Sequence, residues 1–90
     1  MLEIVLSAKF KKDYKLIKKR KYDLNLLNNT VNTIAEGNTL PPKMKDHELS
    51  GEYAGYRECH ITPDWLLIYR IHKDSLILVL TRTGTHSDLF

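Results

Sequence analysis

Histidines are the residues of this 90-residue chain best suited to acid–base chemistry, and three of the four can meet at one end of a sheet. His60 ends a strand-like stretch, Asp64 follows in the adjoining turn, and His86 comes just after the last apolar stretch. His47 lies in a long polar loop that could fold over the same place. Histidine titrates near neutral pH, so a pair can accept one proton and donate another. The sequence therefore predicts a catalytic site formed by His86, Asp64, His60 and His47, with His86 as the best candidate.

Cleavage of an RNA phosphodiester is the chemistry that such a site suits. The 2′-hydroxyl of RNA can act as the nucleophile, so a histidine base and a histidine acid need no metal. Arg82, at the end of the last strand, could offset the negative charge on the phosphorane. Trp65 and Phe90 are either core aromatics or surfaces on which a base stacks. The predicted substrate-binding residues are therefore Arg82, Trp65, Phe90 and Lys45, which is next to Asp46 in the long loop.

Structural and metal-binding interpretations of the same side chains stay open on the residues alone. His60 can be an exposed strand histidine, His86 a surface residue near a helix start, and Asp64 a turn former after proline. Zinc or iron could also use two or three histidines and a carboxylate. The chain has no His-x-x-x-His motif and no helical His-Glu pair, so we favour metal-free chemistry and predict no cofactor. Cys59 precedes His60 in the same predicted strand, so its side chain points to the opposite face of the sheet and should be buried and inert.

An α+β arrangement of elements must position these groups. Alternating apolar residues predict a first strand before Ser7, which caps a helix. Asp23 caps a second helix, which Gly37 ends. Three strands then follow, over residues 56–62, 65–72 and 75–83, before a short C-terminal turn of helix. The predicted order is β-α-α-β-β-β with that helical turn, in a single domain of residues 1–90.

Two-residue turns, at 63–64 and 73–74, would set the register of the last three strands. This register places Trp65 directly opposite Arg82, with His60 on the same face. The opposite face, which should receive the helices, then carries Cys59, Ile61, Leu66, Ile68, Ile77 and Val79. A one-residue slip in either turn would break the alignment. The face of His60 is too apolar to be fully wet, so we expect the long loop, the C-terminus or another protein to cover it, over Tyr69 and Leu78.

Positive charge is concentrated in one segment of the chain. Residues 9–21 hold eight basic residues against one acidic residue, for a charge of +7, whereas the rest sums to −4 from six basic and ten acidic residues. Such a cluster indicates either a polyanionic partner, most simply nucleic acid, or a solvated helix face. The hydrophobic fraction of 42% speaks against disorder, and the single cysteine excludes an internal disulfide. With no leader sequence and no apolar run of membrane length, we expect a cytoplasmic protein that does not contact a membrane.

Three stretches of the sequence closely resemble the YafQ branch of the RelE/ParE toxin superfamily. They are residues 40–49 (LPPKMKDHEL), 57–69 (RECHITPDWLLIY) and 82–90 (RTGTHSDLF). The resemblance covers nearly the whole chain. It implies a RelE-like fold, with two N-terminal helices packed on a small antiparallel sheet.

The same resemblance implies a type II toxin that cleaves messenger RNA in the A site of the 70S ribosome and is neutralised by a DinJ- or RelB-type antitoxin. The family's functional residues fall on His47, His60, Asp64, His86 and Phe90, with Trp65 and Arg82 beside them. In that family the histidine at the position of His86 is the principal catalytic residue. RelE uses arginine, lysine and tyrosine instead, so its acid–base assignment does not transfer. Two other functions remain: a ParE-like toxin that binds DNA gyrase, and an RNA-binding module that cleaves nothing.

Overall fold

A computed structural model describes all 90 residues, Met1–Phe90. The strands are β1 (Glu3–Leu6), β2 (His47–Glu48), β3 (Arg57–Thr62), β4 (Trp65–His72) and β5 (Ile77–Gly84), and the helices are α1 (Ala8–Lys19), α2 (Leu24–Ala35) and α3 (His86–Leu89). Two 3₁₀ turns, Pro42–Met44 and Gly51–Tyr53, interrupt the long loop between α2 and β3. No helix has both the length and the apolar composition needed to cross a membrane.

The sheet has five strands in the order β1-β5-β4-β3-β2. β1 pairs with β5 in parallel, whereas β2, β3, β4 and β5 pair antiparallel. The expectation of a wholly antiparallel sheet is therefore wrong for β1. The chain leaves β1 through two helices rather than a tight turn, and such a crossover allows parallel pairing. The α+β class, the two-helix layer and the C-terminal helical turn are confirmed.

Helix α1 begins and α2 ends where the sequence predicts. Ser7 Oγ accepts a hydrogen bond from the Phe10 N–H at 2.9 Å and donates one to the Thr81 carbonyl at 2.7 Å, which fixes the start of α1 against β5. Asp23 caps α2 by accepting from the Asn25 N–H. Gly37, at φ 80°, takes the left-handed conformation that ends α2.

The main core lies between the two helices and one face of the sheet. Its buried residues are Phe10, Ile17, Leu27, Val31, Ile34, Ala35, Leu40, Cys59, Trp65, Leu67, Tyr69, Leu78 and Leu80. Burial raises the pKa of the Cys59 thiol to about 12, so this thiol is inert at neutral pH, as its strand parity predicts. On the other face, Leu66, Ile68 and Leu89 form a smaller cluster under Leu49, Tyr53 and Tyr56. The long loop and the C-terminus thus cover this second face, as expected.

The turn between β3 and β4 has the predicted ends, but the register changes immediately beyond it. Thr62 pairs with Trp65, whereas His60 pairs with Leu66 because an irregularity at Ile61 inserts one extra residue into β3. A bulge of this kind shifts every later pair by one position. The predicted pairing of Ile61 with Leu66 is therefore wrong.

Two further irregularities separate the predicted and observed registers of β4 and β5. His72 pairs with Ile77 rather than with residue 75, so the connecting turn spans four residues. A second bulge lies between the pairs Tyr69–Leu80 and Ile68–Arg82. Arg82 is consequently opposite Ile68 and shares a face with His60, as predicted, but it is not opposite Trp65.

These shifts exchange the two faces of β4 and of β5 up to Leu80, before the second bulge. Trp65, Leu67 and Tyr69 lie under the helices, where the prediction placed Leu66 and Ile68. Tyr69 and Leu78 are buried in the main core, so another protein cannot lie across them as expected.

Candidate active site

His60, Asp64 and His86 line one concavity at an end of the sheet, which we call the active-site concavity. Its volume is about 350 Å³, and Pro63, Leu66, Thr85 and Ser87 complete the lining. His60 comes from β3, Asp64 from the following turn and His86 from the start of α3. The convergence expected from the strand ends is therefore present in the structure, while the catalytic roles of the three residues stay predictions.

The turn that presents His86 is built by hydrogen bonds between Thr85 and Asp88. Asp88 Oδ2 accepts from the Thr85 N–H at 2.8 Å, and Thr85 Oγ1 accepts from the Asp88 N–H at 3.2 Å, which forms a capping box. Gly84, at φ 152°, permits this fold, because a Cβ there would lie 2.9 Å from Asp88 Oδ2. His86 itself is exposed, so its ring is free to meet a substrate.

Helix α1 holds this turn through an ion pair at its C-terminal end. Arg20 donates to both oxygens of Asp88, at 2.7 and 3.2 Å. Arg20 and the Thr85 backbone N–H together lower the pKa of the Asp88 carboxyl well below its usual range. The charge of Asp88 thus ties the turn to α1 as well as capping it.

A second ion pair joins the middle of α1 to β5. Arg82 donates to Asp13 through Nε at 2.7 Å and Nη2 at 3.1 Å, and Asp13 raises the pKa of the guanidinium. Asp13 Oδ2 also accepts from the Thr83 N–H at 3.1 Å. Because β1 pairs with β5 only as far as Leu80, Asp13 supplies the acceptor that a neighbouring strand would otherwise provide. The predicted phosphate-binding arginine therefore already has an anionic partner.

Glu58 is a functional candidate that the sequence analysis did not select. This 7% exposed carboxylate lies between two imidazoles, with its Oε1 atom 3.7 Å from Nε2 of His47 and 3.8 Å from Nε2 of His60. β2 brings His47 directly opposite Glu58. Glu58 is two positions before His60 and shares its strand face, a spacing from which the pair could have been recognised.

The tautomers of His47 and His60 follow from their other contacts. Nδ1 of His47 lies 2.6 Å from the Lys45 carbonyl oxygen, and Nδ1 of His60 lies 3.3 Å from that of Pro63. A carbonyl oxygen can only accept, so Nδ1 carries the hydrogen in both rings. Nε2 is therefore the nitrogen of each ring that can take up a further proton, and it lies 3.7 Å (His47) or 3.8 Å (His60) from Glu58 Oε1.

The loop that carries Lys45 and His47 is anchored through Asp46. Asp46 accepts from the Tyr69 hydroxyl at 2.5 Å and from two Arg57 nitrogens at 3.3 Å. Burial, with this hydrogen bond, raises the pKa of Tyr69 strongly, so the phenol stays a donor. Lys45 itself adopts φ 50° and is exposed next to the histidine that it orients.

The two aromatic candidates have different environments. Trp65 is 3% exposed, its Nε1 donates to Thr83 Oγ1 at 2.8 Å, and its ring packs edge-on against Tyr22. A ring buried this deeply cannot serve as a surface on which a base stacks. The prediction that Trp65 lies opposite Arg82 is wrong, because Trp65 faces the helices and belongs to the main core. Phe90 is 56% exposed and packs on the His86 ring at a centroid distance of 4.9 Å.

Metal binding was the competing interpretation of the histidines. Nowhere in the chain do three or more His, Cys, Asp or Glu side chains converge as ligands for a metal ion. His47 lies beyond Glu58 and does not line the active-site concavity, which leaves His60, Asp64 and His86 as its titratable groups. Two imidazoles and one carboxylate are thus the titratable side chains that the concavity offers, and metal-free chemistry stays a prediction.

Comparisons with known proteins identify the family of this chain. Residues 2–90 match the family described as "Bacterial toxin of type II toxin-antitoxin system, YafQ". The mRNA interferase toxin YafQ of Escherichia coli K12 is 47% identical over 90 residues, covering 98% of this chain and 95% of the relative. A metal-bound toxin from Helicobacter pylori is 48% identical with a TM-score of 0.94, and both chains are covered completely. YafQ in the E. coli DinJ-YafQ complex is 42% identical with a TM-score of 0.88, covering 100% of this chain and 99% of that one. With a family match over almost its full length, this chain belongs to the YafQ family of type II toxin-antitoxin toxins.

Proposed function

We propose that this toxin is an endoribonuclease that cleaves ribosome-bound messenger RNA by metal-free acid–base catalysis. The observation that carries the proposal is the convergence of His60, Asp64 and His86 in the active-site concavity. The E. coli relative named an mRNA interferase toxin supports the choice of substrate. Two histidines can supply both the base and the acid, so no step of the proposed reaction requires a metal.

In the first half of the reaction, a base removes the proton from the 2′-hydroxyl. Nε2 of His60, which lines the concavity, is suited to this role, because Glu58 would stabilise the imidazolium that results. His47, on the other side of Glu58, is the alternative base. Asp64, which lines the same concavity, is the third candidate for the base and can orient the substrate. The 2′-oxygen then forms its bond to phosphorus.

In the second half, the bond between phosphorus and the 5′-oxygen breaks. His86 donates a proton to that oxygen, and the products are a 2′,3′-cyclic phosphate and a 5′-hydroxyl. Arg82 would contact the phosphate, sharing its guanidinium between the substrate and Asp13. Lys45 and Phe90, both exposed, are the remaining proposed substrate contacts.

The proposed partners are the 70S ribosome, its messenger RNA and a DinJ-type antitoxin. Exposed basic residues of α1 support contact with ribosomal RNA, and the E. coli DinJ-YafQ complex supports the antitoxin. Co-expression of such an antitoxin should relieve growth arrest by the toxin. Continued arrest, with both proteins present in soluble form, would argue against this partner.

Primer extension on a translated message tests the function directly. We expect His86→Ala to lower cleavage by about 100-fold to 10,000-fold, the range for loss of a general acid or base. His72→Ala is the matched control, since His72 is exposed at the far end of β4, and it should cleave like the wild type. Full cleavage and growth inhibition by His86→Ala would refute the assignment. Toxicity that survives loss of all the active-site histidines would instead indicate a binding toxin, such as one that acts on gyrase.

A further inference from the structure

A continuous row of rings leads away from the proposed general acid. Phe90 packs on His86 at a centroid distance of 4.9 Å, Tyr53 follows at 5.9 Å from Phe90, and Tyr56 lies 5.8 Å from Tyr53. The last ring is covered by the Arg70 guanidinium, 5.4 Å from its centroid. We call His86, Phe90, Tyr53 and Tyr56 the aromatic row.

The row is held rigidly before any substrate arrives. Tyr53 and Tyr56 pack on the small cluster around Leu66 and Ile68, and each tyrosine remains partly exposed. The Tyr56 N–H donates to the Tyr53 carbonyl at 2.9 Å, and the Tyr56 carbonyl accepts from the Leu49 N–H at 2.9 Å. A ligand that stacks here therefore pays little entropy to order the rings.

Arg70 is the arginine without an acidic partner. Arg20, Arg57 and Arg82 each form an ion pair with an aspartate, whereas Arg70 contacts the Tyr56 ring. Gly55, at φ 90°, lies beside this guanidinium, and a Cβ there would meet Arg70 Cζ only at an ordinary contact distance of 3.9 Å. A guanidinium over an aromatic ring, without a carboxylate partner, can bind a phosphate or extend the stack.

We propose that the aromatic row and Arg70 form a stacking subsite for message bases on the 3′ side of the cut. The direction rests on the proposed function, in which His86 protonates the 5′-oxygen of the departing nucleotide. Rings that continue outward from His86 therefore meet the nucleotides attached to that oxygen. Stacking on tyrosine accepts any base, so the subsite adds affinity rather than strict sequence choice.

A combined protein and RNA substitution tests the subsite. Single-turnover cleavage of ribosome-bound message is measured against toxin concentration for the wild type, Tyr56→Leu and Tyr56→Phe. The three messages are an intact one, one with an abasic nucleotide in the codon 3′ of the cut, and one with it 5′ of the cut. Tyr56→Phe keeps the ring and controls for the loss of the hydroxyl.

We expect Tyr56→Leu to raise the half-saturating toxin concentration about tenfold on the intact message, as loss of one stacked base would. The same substitution should have less than about a twofold effect on the 3′-abasic message and keep its full effect on the 5′-abasic one. An equal loss on all three messages, or a loss that appears only in the saturated rate, would overturn the subsite. Failure of the wild type to cleave the intact message would instead refute the proposed function, so the two failures are distinct.

Discussion

Glu58 links two histidines that the sequence separates by thirteen positions. Its carboxylate oxygen lies 3.7 and 3.8 Å from the Nε2 atoms of His47 and His60, slightly beyond hydrogen-bonding distance. A small movement on substrate binding would bring either imidazolium into contact with it. In the proposed mechanism the role of Glu58 is therefore electrostatic, because its carboxylate would compensate the charge that the base acquires.

Replacing Glu58 by glutamine removes that charge and keeps the shape of the side chain. We expect Glu58→Gln to slow single-turnover cleavage by about tenfold or more, because a hydrogen bond to a charged group contributes about 1.5–3 kcal/mol. Glu48→Gln is the matched control: Glu48 is the next residue in β2 after His47, and its side chain is 83% exposed. Equal cleavage rates for the two variants, with equal thermal stability, would remove Glu58 from the mechanism.

At the scale of elements, α1 and α3 determine where His86 lies. α3 has only four residues and depends on its capping box and on the Arg20–Asp88 ion pair. Because the folded state lowers the pKa of Asp88, its charge stabilises the fold above the unfolded pKa of about 3.9. That contribution declines as the pH falls below about 4 and through the lower, folded pKa.

Asp88→Asn tests this linkage, since it removes the charge while keeping an acceptor for the Thr85 N–H. We expect the free energy of unfolding to fall by about 1 kcal/mol at pH 7, a modest value because the pair is partly exposed. In urea unfolding, the difference from wild type should stay constant from pH 7 to 5 and shrink below pH 4. Asp74→Asn, in the exposed turn after β4, should show no such pattern. A difference that persists unchanged at pH 2.5 would contradict the role of the Asp88 charge.

The strands show how far sequence reasoning reaches at this scale. Helix caps and the bounds of β4 follow from local signals, and the structure confirms them. The bulges at Ile61 and Thr81 have no glycine to mark them, and Leu76 takes φ 54° in a turn with no recognisable signal. Beyond each extra residue, the side chains of that strand point to the opposite face from the one expected. For this reason the sequence assigned Trp65 to the wrong face.

The convergence of the site was nevertheless predictable. His60, Asp64 and His86 lie at strand ends or in the turn after β3, and these positions meet at one end of the sheet. Their convergence depends on the order of the elements and not on the register of the strands. Glu58 was missed because its importance comes from β2, a two-residue strand that pairs His47 with it. So short a strand has no periodicity to detect.

Across the whole molecule, the basic segment of residues 9–21 lies next to the turn that carries His86. All eight basic residues in 9–21 are exposed, and Arg20 is the one among them that forms an ion pair. That pair is with Asp88, two residues from His86. The seven lysines, six of them on α1, therefore keep their charge available for phosphates, and α1 is joined directly to the turn that carries His86.

The salt dependence of ribosome binding measures how many of these lysines contact phosphates. Lys11, Lys15 and Lys18 form one stripe of α1, at spacings of four and three residues. If each contacts a phosphate, replacing all three by glutamine should reduce the slope of log affinity against log salt by about 2–3. The cleavage rate at saturating toxin should stay within about twofold of wild type, because His86 and its anchors are untouched.

Lys73→Gln, which removes an exposed charge at the far end of β4, should leave the slope unchanged. An unchanged slope in the triple variant would show that the lysines serve only as a solvated surface. A normal slope change accompanied by a collapsed saturated rate would show that α1 acts on catalysis as well as on binding. The expected result, weaker binding with intact chemistry, follows from the structure because α1 reaches the active site through Asp13 and Arg20, not through its lysines.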